Sequence, residues 1–146
     1  MPREPRKKGG QAAARLGRSR GGFTTKLNLS LSETWVPLRL ILTPGNRNDI
    51  TQASALLEGY CYASVIGDKA YDSDAFREAI VSGGGVAVIP PRESRTDPPP
   101  YDEALYKRRN IIERFFHRLK QYRRIATHYD KLGIRYLGFV YFATIL

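Results

Sequence analysis

Two short apolar runs, Ser64-Val65-Ile66-Gly67 and Val86-Ala87-Val88-Ile89, flank a helix-patterned segment, and that order most constrains the fold. Runs of this length are too short for helices and fit buried strands. Between them, Ser73 or Asp74 stands where an N-cap is needed, and Phe76, Ala79 and Ile80 recur at helical spacing. Gly83-Gly84-Gly85 stops the helix, and Pro90-Pro91 closes the second strand. Strand, helix and strand in this order predict a parallel crossover.

The flanking segments extend an α/β pattern. Thr25 to Ser32 alternates polar and apolar residues, and Val36 to Leu42 reads as a second strand. With a turn near Glu33-Thr34 between them, an antiparallel hairpin is expected. Asn48 or Asp49 caps a helix carrying Ile50, Ala53, Leu56 and Leu57 inward. Residues 92–101 are rich in proline and charge and read as a loop. A long amphipathic helix follows, from Glu103 to about Ile125, and the apolar stretch Tyr136–Leu146 reads as a core helix. Residues 1–22, rich in glycine, alanine and arginine, read as a basic flexible arm. The expected domain spans 23–146.

A chain of 146 residues with 42% hydrophobic content is large enough for one folded core. Its formal net charge of +10 points to a polyanionic partner, with nucleic acid the first candidate. The other classes fall away. Cys61 is the only cysteine, so no intrachain disulfide forms and a reducing compartment fits; it lies just ahead of a predicted buried strand and reads as inert. His117 and His128 have no cysteine partners for a structural zinc. Arg3, Arg6, Lys7 and Lys8 precede no apolar run, so no signal peptide is expected. The C-terminal apolar stretch is short of the about 20 residues needed to cross a bilayer, and no membrane partner is expected.

Chemistry concentrates in the run from Tyr106 to Lys120. Tyr106, Arg109, Glu113, His117, Lys120 and Arg124 share one helical face, and Ile111, Phe115, Leu119 and Tyr122 share another. A lone carboxylate among cations is ionised at neutral pH. Glu113 could hold a divalent cation, or it could simply pair with Arg109 or Lys120 on a solvated basic helix; composition alone favours the second. Asp68 follows a predicted strand, where ligands of open α/β sheets sit, although a turn role is equally open. Asp72 and Asp74 lie close by, and helix capping suits Asp74. Asp68 and Glu113 together could bind Mg²⁺, which needs few protein oxygens. Two such ions about 4 Å apart suit in-line phosphoryl displacement. The arginines and lysines would neutralise phosphates, and Tyr106 could contact DNA or pack on the preceding loop. Gly83-Gly84-Gly85 lacks the Lys-Ser/Thr of a nucleotide-binding loop.

The spacing of Tyr106, Arg109, Glu113 and Lys120 resembles the Tyr-(2)-Arg-(3)-Glu-(6)-Lys signature of DDE-class transposases of bacterial insertion sequences. The runs Gly17-Arg18-Ser19-Arg20-Gly21-Gly22, Leu42-Thr43-Pro44-Gly45-Asn46, Gly67-Asp68-Lys69-Ala70-Tyr71-Asp72 and Val88-Ile89-Pro90-Pro91-Arg92 are similar to the same family. The resemblance covers nearly everything from Lys7 onward. It implies a ribonuclease H-like mixed sheet with flanking helices. Asp68 becomes the second acid of the catalytic triad and Glu113 the third, with Mg²⁺ or Mn²⁺ as cofactor. Arg109 and Lys120 would contact the DNA backbone near the cut end, with Tyr106 in the same region and Arg124 further along the basic face. The implied reaction is metal-dependent strand cleavage, then attack of the freed 3′-hydroxyl on target DNA, by an oligomer assembled on DNA in the bacterial cytoplasm.

One departure stands out. The family's first aspartate belongs to a strand before the Gly-Arg-Ser-Arg-Gly-Gly run, and here Met1–Leu16 contains only Glu4 as an acid and no strand pattern. A chain without that acid and its central strand is expected, whether as the downstream frame of a split gene partnered by the upstream product or as a degenerate remnant. Such a chain is not expected to transpose DNA alone. A non-catalytic basic module that binds DNA is the alternative, and an RNA-binding protein of the ribosomal kind is a third.

Overall fold

The structure, a computed structural model, describes residues 17–19, 22–122, 138 and 140–141. The strands are β1 (Gly17–Ser19), β2 (Gly22–Leu31), β3 (Pro37–Pro44), β4 (Ser64–Ile66) and β5 (Val86–Val88). The helices are α1 (Ile50–Leu57), α2 (Asp74–Ser82), α3 (Glu103–Tyr106) and α4 (Asn110–Lys120). Single 3₁₀ turns occupy Lys69–Tyr71 and Lys107–Arg109. The chain divides into two compact units. One comprises Asn28–Ile41 and Asn48–Arg118; the other comprises Met1–Leu27, Leu42–Arg47 and Leu119–Leu146.

The crossover forms as its pattern dictates. β4 and β5 pair in parallel, with Ser64 opposite Val86 and Ile66 opposite Val88. Ser73 caps α2, its hydroxyl accepting from the Phe76 amide at 3.2 Å. Gly83 ends the helix. The ring and hydroxyl of Tyr62 fill the space that a side chain at Gly83 or Gly85 would need, and Gly84 turns through a φ of +84°. Ala53 of α1, Phe76 and Ile80 of α2 and Ile89 after β5 form the buried core. Val65, Tyr62, Tyr71 and Ala87 pack around it. Fully burying each large apolar side chain contributes about 1.5–3 kcal/mol. Asp49 takes the N-cap position of α1 but makes no side-chain capping hydrogen bond there, and Thr51 Oγ1 donates to the Asn48 carbonyl at 2.7 Å across the same turn.

Several expectations are corrected. The strands form two sheets, β1-β2-β3 and β4-β5, instead of one mixed sheet. No described strand joins the hairpin to the parallel pair. β4 is consequently half-buried where a buried strand was expected, having β5 as its only partner among the described residues. Val86 is also exposed, while Val88 and Ile89 are fully buried. Part of the expected arm is a strand: Gly17–Ser19 pairs antiparallel with Gly22–Thr24. Residues 1–16 lie outside the described residues. Cys61, just ahead of β4, is exposed.

The single helix expected from Glu103 to Ile125 is interrupted by the 3₁₀ turn at Lys107–Arg109 and, within the described residues, stops at Lys120. Three adjacent cations at 107–109 repel one another, and a 3₁₀ turn changes the angular phase of whatever follows. The apolar stripe beyond the break holds, with Phe115 and Leu119 buried. Of the C-terminal apolar stretch, Gly138, Val140 and Tyr141 are helical and Val140 is fully buried.

Candidate active site

Asp68 owes its place to the end of β4. The Gly67 amide donates to the Val88 carbonyl at 3.2 Å, carrying the ladder one residue past the strand. The chain then turns, and Asp68 becomes the N-cap of the 3₁₀ turn Lys69–Tyr71, its Oδ1 accepting from the Ala70 amide at 2.9 Å. Glu113 sits in the first turn of α4. Between the two lies Arg109. Its Nη1 donates to Glu113 Oε1 at 2.5 Å, and its Nη2 lies 3.6 Å from Asp68 Oδ2. One guanidinium thus holds a carboxylate from the strand end and one from the helix. Two like charges brought close repel, and a shared cation offsets that repulsion. The Asp68, Arg109 and Glu113 side chains are 39%, 31% and 58% exposed, so the cluster opens to solvent.

Glu113 pairs with Arg109, one of the two partners its spacing allowed, and that same arginine also reaches Asp68. Tyr106 is half-buried and packs edge-to-face on Tyr101, ring centroids 5.6 Å apart. That is the loop-packing alternative. Lys120 is exposed at the end of α4 and belongs to the other unit, as does Arg124, which lies outside the described residues. Burial, and then the charges of Asp49 and Asp68, push the Tyr71 hydroxyl up to about 12, so it stays protonated at neutral pH and cannot serve as a base there.

Sequence reasoning missed a second cluster four residues along. The Asp72 side chain is fully buried. Its Oδ1 accepts from Arg77 Nε at 2.8 Å, and its Oδ2 accepts from the Arg92 amide at 2.8 Å and Arg95 Nε at 2.6 Å. Burial alone would push this carboxyl up, but the hydrogen bonds from Arg95, Arg92 and Arg77 outweigh it and hold the group well below the usual carboxylate range. Arg95 also reaches Asp74 at 2.7 Å, so Asp74 pairs with an arginine while Ser73 does the capping. The available signal was two arginines, Arg92 and Arg95, in the loop after Pro90-Pro91, with the third, Arg77, contributed by α2.

Among the described residues, no group of three His, Cys, Asp or Glu side chains is placed to hold a metal ion. No helix among them is long and apolar enough to cross a membrane.

Residues 3–135 match the family described as the transposase DDE domain. A protein of Brucella ovis named "Putative transposase for insertion sequence element IS6501" is 43% identical over 123 residues, covering 83% of this chain and 95% of that relative. No solved structure matches. The chain belongs to the DDE transposase family.

Proposed function

We propose that Asp68 and Glu113 are two of the catalytic acids of an insertion-sequence transposase, carried on a ribonuclease H-like scaffold. The observation that supports this reading is the convergence of a strand-end aspartate and a helix glutamate on one guanidinium. The donor set suits Mg²⁺ or Mn²⁺: both groups are carboxylates, they come from separate elements, and both are open enough to leave room for water. Asp68 and Glu113 would hold the ion. When bound, it would supply Lewis-acid polarisation of a DNA phosphate and an activated water. The chain's own cations do the rest. Arg109, with a planar fork of donors, would bind a phosphate beside the acids, and Lys120 and Arg124 would contact the backbone of element or target DNA. On this reading the chain binds DNA, and strand transfer would require an oligomer on DNA in the bacterial cytoplasm.

One observation favours a second reading. Arg109 already neutralises both carboxylates, as it would in a basic module that binds DNA without cutting it. Acid-neutralised variants separate the two. On the transposase reading, Asp68→Asn or Glu113→Gln abolishes Mn²⁺ binding and leaves DNA affinity intact. On the binding-module reading, Mn²⁺ binding is indifferent to both, and only Arg109, Lys120 and Arg124 matter, with affinity falling steeply in salt. Strand transfer by the purified chain with Mg²⁺, lost in Glu113→Gln, would overturn the binding-module reading.

A further inference from the structure

The turn that carries Asp68 is only three residues long, and its carbonyls are reached by a side chain from the loop after β5. Arg92 takes two of them: its Nε donates to the Lys69 carbonyl at 3.2 Å and its Nη2 to the Ala70 carbonyl at 3.1 Å. Arg92 is itself fixed at the backbone, because its amide donates to buried Asp72 Oδ2. Asp72 in turn is tied to α2 through Arg77 Nε, and Arg77 Nη2 donates to the Ile89 carbonyl at 2.7 Å, fastening the end of β5. The chain of contacts closes on itself. It starts at the Asp68 turn, passes through Asp72 to the loop after β5, and returns through Arg92 to the same turn.

We propose that Asp72 and Arg92 are positioning residues for Asp68, clamping the turn that aims its carboxylate toward Arg109 and Glu113. This rests on the metal-binding role proposed for Asp68. Asp72 does not itself reach a ligand, since its side chain is fully buried and both of its oxygens accept hydrogen bonds from arginine groups. Arg92 acts through two carbonyls rather than through a carboxylate. Groups that orient a ligating carboxylate typically change metal affinity by 10–100-fold when lost.

The test uses the full chain and two readouts: Mn²⁺ affinity by electron paramagnetic resonance, and hydrogen exchange of the Ala70 amide, which Asp68 accepts. Arg92→Ala removes the clamp's outer arm at an exposed residue and keeps the amide that Asp72 binds. It should speed Ala70 exchange by about tenfold or more while the Ile80 amide is unchanged, and it should weaken Mn²⁺ about tenfold. Asp72→Asn should do the same or more if it folds. Unchanged Mn²⁺ affinity in Arg92→Ala overturns the positioning role, whatever the exchange rate, provided Asp68→Asn does weaken binding. If Asp68→Asn leaves Mn²⁺ affinity untouched, the metal reading of Asp68 falls and the positioning role falls with it.

Discussion

Asp68 and Asp72 are the same residue type, four positions apart, and both meet arginines. Their surroundings differ. The Asp72 side chain is fully buried and receives three hydrogen bonds. The Asp68 side chain is 39% exposed, with one backbone amide on Oδ1 and a guanidinium at 3.6 Å from Oδ2. In a low-dielectric interior, hydrogen bonds and charge pairs are stronger, and an unpaired charge is intolerable. Buried Asp72 must therefore be saturated, and a saturated carboxylate has nothing left for a ligand. Half-open Asp68 retains that capacity. Solvent access, more than residue identity, divides structure from chemistry within this one six-residue motif.

The largest expected effect comes from breaking the buried side of the pair. Asp72→Ala leaves Arg77 and Arg95 without their shared acceptor and should cost about 3–5 kcal/mol in urea unfolding. Asp68→Ala should cost less than about 1 kcal/mol, because its ion pair is exposed and long. Equal costs at the two positions would break the comparison.

A smaller effect follows on the pH axis. The Asp72 carboxyl is held below its unfolded value, so its ionised form favours folding. Its contribution is complete above the unfolded pKa, roughly 4, and is lost as pH falls toward the depressed native value. Wild-type stability should therefore drop from about pH 4 downward, and Asp72→Asn should start lower and fall less over the same window. Parallel acid limbs in thermal melts of the two proteins would mean that the group is not held ionised in the fold.

The open side is probed by DNA affinity. Arg109→Ala should weaken binding severalfold and reduce the salt slope by about one, the signature of one lost phosphate contact. Glu113→Gln removes a negative charge near that contact and should leave affinity equal or higher. Fluorescence anisotropy across a salt series reads both, and weaker binding by Glu113→Gln would mean that the glutamate, not the arginine, organises the surface.

Much of this frame was legible beforehand because it depends on period and punctuation. The hairpin, the crossover, the glycine stop at 83–85 and the α3 start after Asp102 all follow from local patterns. Asp68 and Glu113 were singled out by the resemblance, from the Gly67–Asp72 run and the Tyr106–Lys120 spacing, and what links them in the structure is Arg109. What was not legible depends on long-range partners. Asp72 has no role assigned from sequence, because nothing local reveals that residues 77, 92 and 95 bring three arginine groups to it. The break at Lys107–Arg109 hid behind good helix-forming residues, since propensity does not register where Arg109 must reach.

The hairpin tip offers the mildest case of the same contrast. Glu33 accepts from Arg108 at 3.1 Å with both side chains more than half exposed, and Arg114 lies over the Trp35 ring, 5.4 Å from its centre. Trp35 holds a left-handed backbone with φ of 66°, an unusual state for a bulky residue, and the turn is closed by the Ser32 amide donating to the Val36 carbonyl. These contacts touch the segment that bears Arg109 and Glu113, yet water competes for every charge in them. Glu33→Gln should therefore cost no more than about 0.5 kcal/mol, and even that should vanish in about 1 M salt. Trp35 is the only tryptophan, so its fluorescence reports the tip directly during unfolding. A cost above about 1 kcal/mol that persists in high salt would mean that exposure does not set the worth of ion pairs here, and the distinction drawn between Asp68 and Asp72 would lose its physical basis.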